Sequence, residues 1–223
     1  MRLLFDDFRD GEFASNPAWT AVAGAWQVKN ESGANLLVGS VRLASANNPP
    51  SNSGTTGDIV AGVLGTLLNQ QSGQGQNQPA QAAPASIVAP AAISDQFFIR
   101  LELFSREKGG QFNFGPYAGK RAEDSYQVAY LSGAENGLLL SRMSSQGSQI
   151  LGESQGPIDL EDNQPHVIEW RRGPAGKMTV LLDGRLAIEA TDTQIHKPFS
   201  GFSMINSGGT YAIRSVAING VRQ

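Results

Sequence analysis

The chain has 223 residues, a net charge of −3 and 17% charged side chains, where ordinary soluble domains carry roughly 25%. Its acidic balance lacks the basic footprint of a nucleic-acid binder, and no run reaches the ~20 apolar residues of a membrane-spanning helix. The absence of cysteine excludes disulfides and thiolate chemistry, and two histidines, His166 and His196, are too few for a three-histidine metal centre.

The opening, Met1 to Asp7, is no leader peptide, because Asp6 and Asp7 interrupt any apolar stretch; it reads as a strand. A removed leader replaced by a starting Met would look the same. An extracytoplasmic location, periplasmic or secreted, is expected on that condition, and the lack of cysteine fits an oxidising compartment. Strand-like runs follow around Trp19 and Trp26, with a turn at Gly24, then at 35–38 and 40–44.

Composition changes at residue 43. From Leu43 to Ser94 the only charged side chain is Asp58, among Asn, Gln, Ala and Pro. Such tracts bury too little apolar surface to offset the entropy of ordering, so 46–94 reads as an insertion, irregular over 46–57 and 69–93. One helix is expected inside it, from Asp58 to Leu68, with Ile59, Val60, Val63, Leu64, Leu67 and Leu68 on one stripe. That stripe packs on the chain's own domain or joins copies of the chain into a homo-oligomer.

Beyond Ser94 the patterning sharpens. Phe97, Ile99, Leu101 and Leu103 alternate with Phe98, Arg100, Glu102 and Phe104, so the first set faces a core. Runs follow at 111–114, 126–131, 137–143, 149–151, 166–171, 177–182, 185–189, 202–205 and 211–218. About fourteen short strands at roughly 8–12-residue spacing indicate a sandwich or barrel. Ser207-Gly208-Gly209 reads as a turn, and Asp183-Gly184 as a tight hairpin turn.

The stretch from His166 through Ile168 and Trp170, continuing as Val180-Leu181-Leu182-Asp183-Gly184-Arg185-Leu186, resembles the laminin-G-like and concanavalin A-like jelly-roll superfamily. Phe5-Asp6-Asp7-Phe8, Trp19 and Gly24-Ala25-Trp26-Gln27-Val28 resemble the opening of bacterial modules of the 3-keto-disaccharide hydrolase and glucanase-like kind. The resemblance covers residues 1–45 and 95–223 and implies a single all-β jelly-roll sandwich over 1–223, its last strand paired with its first. Lectins, glycosidases and spacers share that fold.

Three functions follow as expectations. The leading one is a non-enzymatic module recognising a glycan or a protein. The second is a glycoside-acting hydrolase of the 3-keto-disaccharide type; its glucanase-type relatives carry E-x-D-x-x-E on one strand, which this chain lacks. The third is self-assembly through the 58–68 helix. A sugar platform would draw on Tyr117, Tyr126, Tyr130, Arg142 and Glu169, rings for stacking and polar groups for hydroxyls. Trp19, Trp26 and Trp170 are assigned to the core, and Asp159, Glu161 and Asp162 to a solvated loop. Calcium is the cofactor that the resemblance allows, with Asp6, Asp7 and Asp10 as candidate oxygen ligands.

Overall fold

A computed structural model describes residues 1–41, 84–105, 107–119 and 124–220. The expected helix at 58–68, and with it the oligomer contact, lies outside the described residues. No described helix is long and apolar enough to cross a membrane.

The described residues form fourteen strands: β1 (Arg2–Asp6), β2 (Thr20–Ala23), β3 (Ala25–Glu31), β4 (Ala34–Val41), β5 (Ala85–Ile93), β6 (Phe97–Ser105), β7 (Gln111–Ala118), β8 (Asp124–Leu131), β9 (Leu138–Ser144), β10 (Gly147–Glu153), β11 (His166–Arg172), β12 (Lys177–Leu182), β13 (Arg185–Thr191) and β14 (Phe199–Gly220). Pairing is antiparallel throughout. Sheet A runs β13-β12-β11-β6-β14, with β1 and β4 sharing the far edge of β14 and β3 outside β4. Sheet B runs β10-β9-β8-β7-β14-β5-β2.

The two sheets share one strand. The first half of β14 lies between β7 and β5 in sheet B, and its second half pairs with β6, β4 and β1 in sheet A. Ser207-Gly208-Gly209, read above as a turn between two strands, is the crossing inside this single strand. Asn206 pins it: its amide donates to the carbonyls of Gly39 and Gly209, and its side-chain oxygen accepts from Gly208 N–H. Gly209 supplies the left-handed φ of 82° that lets the chain swing between sheets.

The termini pair as the resemblance implies, Leu4 opposite Ile218 and Asp6 opposite Val216. The alternation in β6 sends Phe97, Ile99, Leu101 and Leu103 into the core. Trp170, fully buried on β11, meets Phe97 edge-on at 5.2 Å and reaches Phe114 of the opposite sheet at 6.4 Å. Trp19 and Trp26 are buried as expected. Asp183 and Gly184 both adopt left-handed φ, 50° and 77°, so they form the tight turn joining β12 to β13.

The insertion is shorter at its C-terminal side than the composition suggests, because β5 occupies 85–93. It is an ordinary strand between β14 and β2. Runs 35–38 and 40–44 are likewise not separate strands, for β4 is continuous from Ala34 to Val41.

Candidate functional site

Outward positions of sheet B come from alternate residues of its strands, and pairing places them in rows. Asn113 of β7 lies between Ile205 of β14 and Ala129 of β8. One row further, Ser203 lies opposite Gly115, and Gln127 opposite Ser141 of β9. Tyr117 lies beyond them, opposite Ser125, its ring across the bare backbone of Gly201 where a Cβ would collide with it. Ile205, Ala129, Leu139, Leu131 and Met143 form a small apolar cluster separate from the main core.

These outward side chains are shielded. Asn113 is 0% exposed, Gln127 3% and Ser141 1%. Both polar atoms of Asn113, Oε1 of Gln127 and Oγ of Ser141 have no hydrogen-bond partner. A shielded polar atom without a partner costs roughly 1–3 kcal/mol, so native proteins hold few of them. Here they occupy neighbouring positions on three adjacent strands. They are neutral groups of both senses, the complement of hydroxyls.

Of the residues expected to form a sugar platform, Tyr117 alone belongs to this face. Tyr126 and Tyr130 point the other way, into the sandwich, and their rings are enclosed. The Tyr126 hydroxyl donates to Asp192 at 2.6 Å, and burial with that carboxylate pushes its pKa up to about 12. The Tyr130 oxygen accepts from Leu160 N–H, and burial raises its pKa too. Both strand faces of β8 are covered, so alternation alone does not tell which face is core. Arg142 pairs with Asp192 and donates to Gln149. Glu169 lies on the outer face of sheet A, opposite Arg100.

The expected calcium ligands do not converge. Asp6 turns inward, accepting from Trp19 Nε1 at 2.9 Å and from Phe8 N–H at 2.8 Å. Asp7 pairs with Arg9, and Asp10 accepts from Glu12 N–H. Among the described residues no group of three or more acids or histidines is arranged to hold a metal. The extended chain separates Asp6 from Asp7 by sending them to opposite faces.

Burial raises the Asp6 pKa to about 6, against the opposing pull of the Phe8 and Trp19 hydrogen bonds. The native state therefore keeps a proton between about pH 4 and 6 that the unfolded chain has lost, and stability falls as pH rises through that window, by roughly 2–3 kcal/mol. Asp6→Asn should flatten this slope. Urea midpoints of both proteins at pH 4, 5, 6 and 7 check it; parallel slopes contradict it.

His166 and His196 carry no catalytic arrangement. The His166 ring joins two carboxylates, Nδ1 to Asp183 at 2.8 Å and Nε2 to Asp162 at 3.0 Å. Burial alone would lower its pKa, but the two carboxylates outweigh it and raise the value. His196 is exposed. Glu161, expected on a solvated loop, is buried and accepts four hydrogen bonds. No local pattern in the sequence marks it.

No family model and no curated protein matches the chain. Solved structures do. A galectin-like-fold protein from Bacillus subtilis aligns with 13% identity and a TM-score of 0.63, over 100% of this chain and 97% of that one. A glycoside hydrolase family 16 endo-glucanase from Bacteroides ovatus aligns with 10% identity and a TM-score of 0.62, over 97% and 99%. The carbohydrate-binding module CBM66 from Bacillus subtilis aligns with 14% identity and a TM-score of 0.56, over 88% and 91%. The fold is a concanavalin A-like jelly-roll sandwich.

Proposed function

We propose that the protein is a non-catalytic glycan-binding module whose ligand lies along the outer face of sheet B. The observation that carries this reading is the shielded row of Asn113, Gln127 and Ser141, in which both polar atoms of Asn113, Oε1 of Gln127 and Oγ of Ser141 lack partners and only Gln127 Nε2 has one, Ser203 Oγ at 3.4 Å. Sugar hydroxyls donate and accept, so they satisfy amides and hydroxyls alike, and Tyr117 offers a ring at the row's end. A neighbour in fold that is itself a carbohydrate-binding module supports the ligand class. An extracytoplasmic location goes with it.

Hydrolysis fits this face poorly. It needs two carboxylates flanking the scissile bond, ~5–5.5 Å apart for retention or ~6.5–9.5 Å for inversion. Among the described residues of the strands of sheet B, the acids are Asp124 and Glu153, at strand ends and engaged with Lys197 and Asn136. A groove of about 970 Å³ runs beside β13, but its acids are also held: Asp183 by His166 and Glu189 by Lys177.

The test is the double variant Gln127→Leu with Ser141→Ala, compared with the parent on an array of neutral oligosaccharides. The variant removes two unpartnered oxygens and one long bond, Gln127 Nε2 to Ser203 Oγ, and Ser203 keeps its bond to the Gly115 carbonyl, so stability should stay within about 1–2 kcal/mol of the parent. Binding should fall at least about tenfold. No bound sugar in the parent, or unchanged binding in the variant, overturns the reading. A sharp loss of stability would also sink it, since the row would then be held by partners within the chain beyond Ser203.

A further inference from the structure

On the other side of the sandwich, β4 and β1 share one edge of β14: β4 pairs up to Ile213 and β1 begins at Val216. Between them β14 bulges, with the register against β6 shifting between Ile213 and Ser215. A bulge re-aims side chains, and this one turns Arg214 outward to an exposed position. The gap between the two edge strands opens a groove of about 800 Å³. Phe5, the paired Asn30 of β3 and Asn35 of β4, and Arg100 and Glu102 of β6 line it. That volume lies within the range of small-ligand sites.

The charge here departs from that of the whole chain. The chain carries −3, whereas the groove gathers three guanidiniums, Arg9, Arg100 and Arg214, against two carboxylates, Asp7 and Glu102. Arg100 and Arg214 converge on Glu102, each through one Nη1, at 3.4 and 3.3 Å. A guanidinium has five N–H donors in a planar fork, so most of theirs are left for a ligand. Two forks with one shared carboxylate between them leave an excess positive charge and a geometry that fits a second carboxylate bidentately. Phe5 is 37% exposed, and the Arg2 guanidinium lies 4.4 Å from its ring centre. A ring surface beside the forks suits a sugar ring bearing the acid; the Asn30 and Asn35 amides, which donate to Asn35 Oδ1 and to the Arg9 carbonyl, keep a second N–H each.

The geometry points to a second ligand site, independent of the neutral-glycan face, in which Arg100 and Arg214 take the carboxylate of an acidic saccharide such as a uronic acid. Its occupant is distinguished from a neutral sugar by charge and from a bare anion by the ring. Neither sheet B nor its polar row takes part.

The experiment titrates the full chain calorimetrically with tetragalacturonic acid, with its fully methyl-esterified form, and with sodium sulfate. The acid should bind, and both the ester and sulfate should bind at least about tenfold more weakly. Arg214→Gln and Arg100→Gln should each weaken acid binding by about the same factor, and Arg214→Lys, which keeps the charge but not the fork, should weaken it less. Gln127→Leu with Ser141→Ala should leave acid binding unchanged, which separates this site from the other. Arg214 is exposed, so its variants should melt as the parent does. Equal binding of acid and ester, displacement of the acid by equimolar sulfate, full binding by Arg214→Gln, or no binding of the acid overturns the proposal.

Discussion

Replacing Glu161 by alanine is expected to cost about 3–5 kcal/mol, the range for removing one partner of a buried charged network. Its Oε1 accepts from Gly110 N–H at 2.8 Å and from the Tyr211 hydroxyl at 3.2 Å; its Oε2 accepts from Gly109 N–H at 2.8 Å and from Ser132 at 2.6 Å. The carboxylate thus ties the β6–β7 turn, the β8–β9 turn and β14 together at one end of the sandwich. Burial and the neighbouring carboxylate push the Tyr211 pKa far up, so its hydroxyl stays a donor. Glutamine is expected to serve little better than alanine. Each oxygen faces one backbone N–H, so either orientation of an amide sets its NH₂ against a donor that cannot rotate away. Chemical denaturation of Glu161→Ala, Glu161→Gln and Tyr211→Phe checks this. Tyr211→Phe, losing one bond of four, should cost about 0.5–1.5 kcal/mol. A Gln variant within about 0.5 kcal/mol of the parent would refute the four-donor account.

This carboxylate also marks where sequence reasoning stops. Alternation in β6 is visible because one face is core and the other wet, so Phe97 to Leu103 sort themselves. Burial of Glu161 depends on Gly109 and Ser132, tens of residues away, and periodicity carries no such information. Strand β5 escapes for another reason. Its Ala and Pro residues have low strand propensity, yet Ala85, Ile87 and Ala89 are buried because β14 and β2 flank them. Pro90 is tolerated where β2 has ended and that edge needs no N–H. On sheet B the polar row was hidden by the same two-sided covering that made Tyr126 and Tyr130 resemble a platform. With both faces of β8 shielded, hydrophobicity does not say which residues point outward; the register against β7 and β9 does.

Arg142, expected in a sugar platform, pairs with Asp192, and the larger expected effect there falls on its neighbour. Arg172 is buried at the opposite end of the sandwich from Glu161. Its Nη2 donates to the carbonyls of Asp192 and Ile195 at 3.1 and 3.2 Å, and its Nη1 donates to the carbonyl of Asp95. The guanidinium also lies 5.3 Å from the Tyr126 ring centre, whose hydroxyl meets the Asp192 carboxylate that Arg142 holds from outside. One side chain therefore gathers the segment before β6, the loop after β13 and strand β8, joining both sheets. Arg172→Met keeps most of the apolar stem but leaves three carbonyls without donors and Asp192 with one cation fewer nearby. The expected loss is about 3–5 kcal/mol, which for a chain of this size lowers the melting temperature by roughly 6–20 °C. Lysine, a single point donor, should recover only part of it. Arg142→Gln should cost less, about 1–2 kcal/mol, because the Asp192 carboxylate keeps its bonds from the Tyr126 hydroxyl and Gln194 N–H. Melting curves of the three variants decide the order. If Arg142→Gln proves the more damaging, the outer ion pair and not the buried guanidinium holds this end closed.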